Sequence, residues 1–514
     1  MRPWRWLIPL CASLAAEAQV TLMQSIESAL ARNPRLAVER EQVLMARSRI
    51  LQASSLFDPQ LGAQLQQARA NVPLTGLQRF TVISSGLSES AQSSNQTTGL
   101  GSANVLLRSG LQLSSSLNLS RSTDNLAQRQ GVNLSQLRFQ AAIPLLRGRG
   151  RAIVAAEESA AGIETEASLY DLNHTASTLI ADTASRYWEL AAAELNVQVL
   201  QEAEDRGQVL VETVRTLIEA DRMPRAELQQ VLANLATRIA NRAAGEQRLT
   251  NAMQALELAM GLGVEELRRV LKTGDALPDG ETARQPSMGD AELGAWIGRS
   301  LERRADYLNL RRRQGAIEVR QVAARDRLRP QLDLKFSTGY SGLNEGRRPD
   351  RLFHSPFTNA AGVDLSGGIE YNLPLGRHAA RAQVDALVAT SRQNQYSTQD
   401  LGRSIASSVL AAVAAYRSAI IRAQQARQSV DASRAALDGE REKLRLGVGS
   451  VVDLLTIEDR LNQARSAYID ATLNYAVLLT RIRFATGTFI DPQQSSHTVS
   501  PSIFLRPPWE DSTP

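Results

Sequence analysis

Two hydrophobic patterns alternate along the chain, and each of them occurs in both halves of the sequence. Apolar residues three to four positions apart predict amphipathic helices. Six segments show that spacing: 21–56, 152–219, 225–260, 291–328, 377–446 and 451–486. Between them, in 61–144 and 332–374, apolar and polar residues alternate one by one. That alternation predicts strands with one apolar face.

The two faces of the predicted strands indicate their surroundings. The clearest alternating runs are 111–120, 137–143, 332–338 and 363–371. One apolar and one polar face suit strands that have lipid on one side and water on the other. A small soluble β-domain between helices is the alternative. Segments rich in Ser, Asn, Gln and Gly, at 84–104 and 121–133, are predicted to connect the strands.

The order of predicted elements is the same in both halves: helix, strand-rich stretch, long helix, turn, helix. Ile26-x3-Leu30 reappears as Ile297-x3-Leu301, an offset of 271 residues (297 − 26), and 214–261 aligns without a gap with 440–487, an offset of 226 (440 − 214). This pattern predicts an internal duplication. The predicted division is a first repeat over 19–285, a second repeat over 286–490 and an irregular tail over 491–514.

The predicted helix lengths suggest a tall assembly. The segments 152–219 and 377–446 would each span roughly 100 Å at 1.5 Å per residue, and the shorter helices roughly 55 Å. Two short helices laid end to end therefore match one long helix, and turns near 220–224 and 447–450 close the hairpins. The predicted fold is α+β: a β-barrel continued by a long α-helical coiled-coil barrel.

The first eighteen residues have the features of an export signal. Arg2 and Arg5 precede an apolar core, and Ala16-Glu17-Ala18 forms a small-x-small cleavage site. An uncleaved anchor is the alternative. Cys11 is the single cysteine of the sequence, so the cleaved protein would lack disulfides and thiolate chemistry. No uninterrupted apolar run of about eighteen residues follows, so no membrane-spanning helix is predicted.

Composition narrows the possible functions further. Aromatic residues are only 4% of the chain although hydrophobic residues are 43%, which favours long helices with narrow apolar seams over a large globular core. The net charge of +5 is small for 514 residues and is spread along the chain, which argues against nucleic acid as a partner. The four histidines are scattered, and no Gly-x-Ser-x-Gly motif occurs. We therefore predict no catalytic residues, no metal site and no cofactor.

Several motifs resemble those of the TolC-like outer-membrane efflux proteins. They are Thr21-Leu22 followed by Asn33-Pro34-x-Leu36, Arg304-Ala305-Asp306, Pro330-x-Leu332 and Pro374-Leu375. The most specific motif is the run Leu446-Gly447-Val448-Gly449-Ser450-Val451-Val452-Asp453-Leu454-Leu455, which resembles the tip of the family's helical hairpin. The resemblance covers about residues 20–490.

The resemblance implies an outer-membrane channel component of a tripartite efflux or type I secretion system. It implies a homotrimer whose strands share one barrel in outer-membrane lipid and whose helices extend into the periplasm. The implied partners are a periplasmic adaptor protein and an inner-membrane transporter that supplies the energy. A turn at 107–110 points to an extra hairpin beyond the family's usual four strands per chain. A periplasmic coiled-coil scaffold without channel activity is the alternative function.

The resemblance also assigns residues at the hairpin tips. Asp453 matches an acidic residue that narrows the family's tunnel entrance, and Glu227 lies at the corresponding place in the first half. Thr456 stands where the family has a second acid. The spacing of Ser450 and Asp453 also fits a capping box, which is a purely structural role for Asp453. Docking of the adaptor is assigned to the second tip: Leu446, Gly447, Val448, Gly449 and Ser450.

Two further segments are distinctive. The first tip, Asp221-Arg-Met-Pro224, lacks the glycines of the second, and proline is tolerated in the first turn of a helix. The run Arg147-Gly-Arg149-Gly-Arg151 admits a phosphate site, but no phosphate-loop Lys-Ser/Thr follows it. We predict instead a link from barrel to helix, with arginines near anionic lipid head groups.

Overall fold

The computed structural model describes most of the chain. The described residues are 18–126, 128–266, 271–281, 283–286, 288–346, 348, 350–446, 448–491 and 499–511. The predicted signal segment lies outside them except for Ala18, and so do Gly447 and two parts of the predicted tail. By internal contacts the chain divides into two units. The first comprises Met1–Val43, Glu166–Arg311 and Tyr396–Pro514, and the second comprises Leu44–Thr165 and Arg312–Gln395.

Helices make up most of the first unit and extend into the second. They are α1 (Leu22–Arg32), α2 (Pro34–Ser54), α3 (Gly76–Ser84), α4 (Arg151–Val154), α5 (Ala156–Glu219), α6 (Ala226–Ala259), α7 (Asp290–Arg303), α8 (Ala305–Asp326), α9 (Arg351–His354), α10 (His378–Arg445) and α11 (Val451–Thr486). The strands are β1 (Ala18–Val20), β2 (Gln60–Pro73), β3 (Ala91–Leu106), β4 (Gln112–Asp124), β5 (Val132–Pro144), β6 (Leu271–Thr273), β7 (Gln331–Glu345) and β8 (Ala360–Asn372). Strands β1 and β6 pair in parallel in the first unit.

The second unit contains an antiparallel sheet of six strands in the order β2-β3-β4-β5-β7-β8. The turn at 107–110 does join two strands, β3 and β4, with a hydrogen bond of 2.8 Å from the Gly110 N–H to the Leu107 carbonyl. The predicted connection at 84–104 is wrong in part, because residues from Ala91 onward form β3. Its apolar face carries Gly99, Gly101 and Ala103, which are too small to give a clear alternating signal.

The register gives this sheet two different faces. On one face Leu117, Leu137, Tyr340 and Val363 align across four strands. On the other face the corresponding row is Ser114, Gln140, Ser337 and Ser366. The separation of apolar and polar residues agrees with the alternation in the sequence. The sheet can therefore contact lipid with one face and water with the other.

The first unit contains two sharp helix corners where the sequence predicts continuous helices. The predicted helices 21–56 and 291–328 are each divided, at Asn33 and at Arg304, which both have extended backbones. At the first corner Pro34 favours an extended residue before it. Gly261 and Gly487 have positive φ, and a Cβ on them would lie 2.7 Å from the Asn33 nitrogen and 3.1 Å from the Arg304 nitrogen, respectively. The two corners are built alike, as a duplication would require.

The described part of the tail packs against the first unit. Phe504 is fully buried, and the Trp509 ring lies edge-on to Tyr416 with the ring centres 5.5 Å apart. The side chain of Arg483, only 1% exposed, donates hydrogen bonds to the carbonyls of Ile503 and Arg506 and pairs with Asp511. The tail is irregular apart from one 3₁₀ turn at Pro501–Phe504, but these contacts hold it in place.

One helix among the described residues meets a length and composition test for crossing a membrane. The helix α10 contains an eighteen-residue window with a mean hydropathy of 1.5, and 39% of that window is buried. The test averages hydropathy over the window and therefore tolerates polar residues within it. The sequence prediction required an uninterrupted apolar run, and for that reason it gave no membrane-spanning helix. A single helix of this kind is weak support for a membrane span, because buried helices pass the same test.

Within the second unit, ion pairs fix the turn between β3 and β4 to the start of α5. The Arg108 guanidinium makes two hydrogen bonds of 2.8 Å to the Glu158 carboxylate and stacks 4.6 Å above the Phe57 ring centre. These hydrogen bonds hold the pKa of Glu158 below its ordinary value of 4.5. A carboxyl whose pKa is lower in the folded than in the unfolded state stabilises the fold at pH values above the unfolded pKa. That stabilisation is lost as the pH falls through the pKa of the folded state.

We therefore expect Glu158→Gln to reduce the thermal stability of the detergent-solubilised protein at pH 6 and to reduce it less at pH 3. Below pH 4.5 the stabilising effect of the paired carboxyl declines, and glutamine imitates the neutral form. The measurement is the melting temperature by circular dichroism at both pH values. Arg108→Lys keeps the charge but not the paired geometry, so it should show a smaller loss at pH 6. A difference between wild type and Glu158→Gln that is as large at pH 3 as at pH 6 would contradict this assignment.

Candidate functional site

The turns between α5 and α6 and between α10 and α11 lie over one hydrophobic cluster of the first unit. Four helices contribute to it, and its buried members are Leu210, Val211, Val214, Val231, Leu437, Val451, Leu454, Leu455 and Leu461. The turns themselves carry the predicted docking and gate residues. The two hairpin tips therefore belong to one packed end of this unit.

The second tip is held by a close backbone approach. A Cβ on Gly449 would lie 2.7 Å from the Leu444 nitrogen, so this position needs glycine. The N–H of Gly449 and that of Val448 both donate to the Lys443 carbonyl. Leu446 and Val448 expose 64% and 77% of their surface, respectively. The predicted docking residue Gly447 lies outside the described residues.

Asp453 lies on the first turn of α11 and is exposed. Half of the predicted capping box is present, because the Ser450 hydroxyl accepts a hydrogen bond of 3.1 Å from the Val452 N–H. The structure gives no return bond from the Asp453 carboxylate to the Ser450 N–H in this part of the described chain. The carboxylate is thus free to face solvent, and the N-terminal end of the helix stabilises its charge.

The first tip makes its turn without glycine. Asp221 takes a left-handed backbone with φ of 52°, and it occupies the place that aligns with Gly447 in the second tip. The following N–H, of Arg222, bonds to the Leu217 carbonyl over 2.9 Å and closes the end of α5. The sequence analysis missed this role of Asp221. Its alignment with a glycine was the available signal, since aspartate tolerates this conformation better than most residues.

Glu227 has a different environment from Asp453, although both lie in the first turn of their helices. Its side chain is half-buried, and within the described part of the chain its Oε2 is buried without a hydrogen-bond partner. The structure thus places both predicted gate acids at the same packed end. It does not make them equivalent.

A buried ion pair crosses the helices above the tips, and sequence reasoning missed it. Arg238 of α6 lies 2.9 Å from the Glu458 carboxylate of α11, and the side chains are each 4% exposed. Arg238 also donates to the Ala203 carbonyl of α5, and Arg441 of α10 contacts the other oxygen of Glu458. Gly207 leaves the space that Arg238 occupies, with its Cβ position 3.2 Å from the arginine stem. In the sequence pattern, Arg238 and Glu458 cannot be distinguished from charged residues on a solvent-facing side of a helix, so their burial was not predicted.

The sequence of the second half matches a known family. Residues 296–488, which contain the Arg304 corner, the second tip and Asp453, match the family described as outer membrane efflux protein. Over these residues the chain is similar to that family. The resemblance found in the sequence is thereby confirmed. No curated protein matches the chain in sequence.

Solved structures of outer-membrane channels have the same fold as the chain over nearly their whole length. The outer-membrane channel OprN superposes with a TM-score of 0.66 at 18% identity, over 91% of this chain and 89% of that one. The Campylobacter jejuni channel CmeC superposes with a TM-score of 0.67 at 14% identity, over 92% of this chain and 87% of that one. The Neisseria gonorrhoeae channel MtrE in its open state superposes with a TM-score of 0.63 at 17% identity, over 93% of this chain and 91% of that one.

Sequence and fold point to the same class of protein. The chain resembles outer-membrane efflux proteins in sequence over residues 296–488, and it shares the fold of outer-membrane channels. The assignments at the tips, at Asp453 and Glu227 and at the docking residues, remain predictions.

Proposed function

We propose that the protein is an outer-membrane efflux channel and that three copies of it form one passive exit duct extending into the periplasm. The two edges of the sheet support this proposal. Strands β2, of 14 residues, and β8, of 13 residues, each have one neighbour within the described chain, which leaves their outer backbone groups without strand partners. Inside a membrane, backbone groups must be paired, so such edges need to close into a barrel.

The strand directions permit that closure between copies. The sheet is antiparallel throughout and has an even number of strands, so β2 and β8 run in opposite directions. The β8 of one copy can therefore pair in antiparallel fashion with the β2 of the next. Three copies of six strands would give eighteen strands, against twelve for the usual four per chain. A barrel of that size leaves an aqueous opening.

The tip residues support a contact with a periplasmic adaptor protein. Leu446 and Val448 are exposed apolar side chains on a turn made rigid by Gly449. Exposed apolar groups of this kind mark interaction sites. The duct would receive its cargo through the adaptor from an inner-membrane transporter, and the cargo would be small molecules or, in type I secretion, proteins. The duct itself supplies no energy.

The acidic tip residues would act as the entrance gate. Asp453 and Glu227 from three copies would bring six carboxylates to one constriction. Such a ring favours cations and binds divalent ions. Because Asp453 is exposed and Glu227 half-buried, Asp453 would supply most of the accessible charge.

We expect the double variant Asp453→Ala/Glu227→Ala to weaken the block of conductance by added Mg²⁺, with Asp453→Ala alone giving most of the loss. The measurement is single-channel current in a planar bilayer over a Mg²⁺ titration. Thr456→Asp is the matched gain-of-charge control, because it adds an acid on the same helix, and it should strengthen the block. If the Mg²⁺ block were unchanged in Asp453→Ala and in the double variant, the two acids would not form the gate, although the protein could still be a channel.

The duct as a whole is tested by fractionation. The protein should leave membranes only with detergent, migrate as a trimer by native mass spectrometry and conduct ions in a bilayer. A protein that stays dissolved without detergent, as a single chain, would favour the periplasmic scaffold instead.

A further inference from the structure

A cavity of about 890 Å³ lies in the second unit where the polar face of the sheet meets α4, α8 and α10. Its strand residues include Gln112, Ala142 and Asp333, whose register places them on the polar face. The cavity is thus continuous with the face that would line the passage. We name it the neck cavity.

Three arginines line the neck cavity: Arg147, Arg327 and Arg377. Each donates a hydrogen bond to a neutral oxygen. Arg147 bonds to Gln331 Oε1 at 2.5 Å, Arg327 to Gln383 Oε1 at 2.8 Å, and Arg377 to the Leu328 carbonyl at 2.9 Å. Within the described ranges none of the three forms an ion pair with a carboxylate. Their guanidinium groups keep unused donors. Glu157 is near enough to Arg327 for the arginine charge to help lower its pKa, so Arg327 is partly compensated, whereas Arg147 and Arg377 have only the neutral partners named above.

The carboxylates of the neck cavity are already engaged elsewhere. Asp326 is 5% exposed, accepts a hydrogen bond of 2.7 Å from the Gly148 N–H and lies 3.4 Å from Arg329. Asp333 accepts a hydrogen bond of 2.6 Å from the Gln331 amide. These two acids lower the net charge of the cavity but do not occupy the arginine side chains. The positive groups remain available to a ligand.

The backbone at Arg377 supports a role for its side chain. Its φ of 46° lies in the left-handed region, where a residue other than glycine is uncommon. Strained residues of this kind concentrate at binding sites, because a required side chain offsets the strain. The turn before α10 therefore holds an arginine in the neck cavity at a conformational cost.

The remaining wall of the neck cavity is apolar. Leu56, Leu106, Ile153 and Val154 contribute to it. A ligand that fits both parts carries one anionic group and a compact apolar body. We propose that the neck cavity is a subsite for amphipathic organic anions that pass through the duct, an inference that rests on the proposed function. It also revises the prediction for Arg147, which faces this cavity and bonds to Gln331.

The test uses naphthalene-2-sulfonate as the probe in planar-bilayer recordings of the full-length trimer. The sulfonate should reduce the wild-type current. In Arg147→Gln/Arg327→Gln/Arg377→Gln the concentration that gives half-block should rise at least about tenfold, because charge-assisted hydrogen bonds to the sulfonate are lost. The current of the triple variant should also become more selective for cations in a KCl gradient.

The matched control is Arg149→Gln/Arg151→Gln, which removes exposed arginines of the same run that do not line the neck cavity. It should keep the wild-type block. The subsite would be overturned if the cation 2-naphthylmethylammonium blocked the wild-type current as strongly as the sulfonate does. It would also be overturned if the triple variant formed a conducting trimer with unchanged sulfonate block. Either result would leave the proposed duct standing. A wild-type protein without any conductance would overturn the proposed function itself, and the subsite with it.

Discussion

Replacing Glu458 with leucine is expected to destabilise the helices above the tips by about 3 kcal/mol, the lower end of the cost typical of removing one partner of a buried ion pair. Arg238 is 4% exposed, so solvent cannot reach its guanidinium once the Glu458 carboxylate is gone. Its second partner, Asp459, lies farther away, at 3.6 Å, and is 46% exposed, so it replaces only part of the lost interaction. Arg441, by contrast, is 46% exposed and would be solvated. The loss therefore comes mainly from Arg238. Thermal unfolding of the helical signal in detergent, by circular dichroism, measures it.

Two matched variants separate the charge from the packing. The double variant Arg238→Met/Glu458→Leu removes both charges while keeping similar volumes, and its stability should return to that of the wild type or exceed it by about 1–4 kcal/mol. Glu458→Gln keeps the shape but not the charge, so it should lie near the single leucine variant. If the double variant were as unstable as Glu458→Leu, the pair would not be the source of the effect.

The general architecture could be predicted from the sequence because periodicity survives in long elements. Residues 137–143 alternate except at Ala142, and they form part of β5 with the apolar face that the alternation requires. The predicted long helix ending at 446 ends at Arg445 in the structure. Such elements repeat one local preference many times, so a few exceptions do not hide it.

Other features could not be predicted because they depend on contacts far apart in the sequence. Strand β3 contains mostly Ser, Thr, Asn and Gln, which are also typical of loops, and its pairing with β2 and β4 on both sides is what makes it a strand. The helix break at Arg304 has no proline and follows from the close approach of Gly487. Neither cause is visible in the local pattern.

The candidate site divides in the same way. The second tip could be located, since Gly449 and Ser450 are local turn and cap residues whose chemistry the structure shows. The half-buried state of Glu227 and the burial of Arg238 could not, because they depend on which helices pack together. In the neck cavity, Arg147 and Arg377 are 230 residues apart (377 − 147), so only the fold brings them together.

The tail gives the second large effect. Asp511→Ala should release residues 499–511, because it leaves the Arg483 guanidinium, 1% exposed, buried without its carboxylate. Undocking lets water reach that charge, so the tail should detach before the helices unfold. We expect a loss of docking stability of about 3 kcal/mol, which corresponds to a roughly hundredfold faster chymotryptic cut after Phe504, a residue that is fully buried in the docked tail, when cleavage follows local opening. Wild-type protein should resist that cut.

The comparison with Arg483→Met identifies the cause of the release. Methionine leaves no buried charge, and Asp511, whose side chain is 47% exposed, can be solvated alone, so this variant should lose less protection than Asp511→Ala. Adding Arg483→Met to Asp511→Ala should therefore slow the cleavage again, although two mutations are present. Trp509 fluorescence reports the same order, since its ring lies against Tyr416 only while the tail is docked. A double variant cut as fast as Asp511→Ala would show that side-chain packing at Phe504 and Trp509, and not the buried charge, holds the tail.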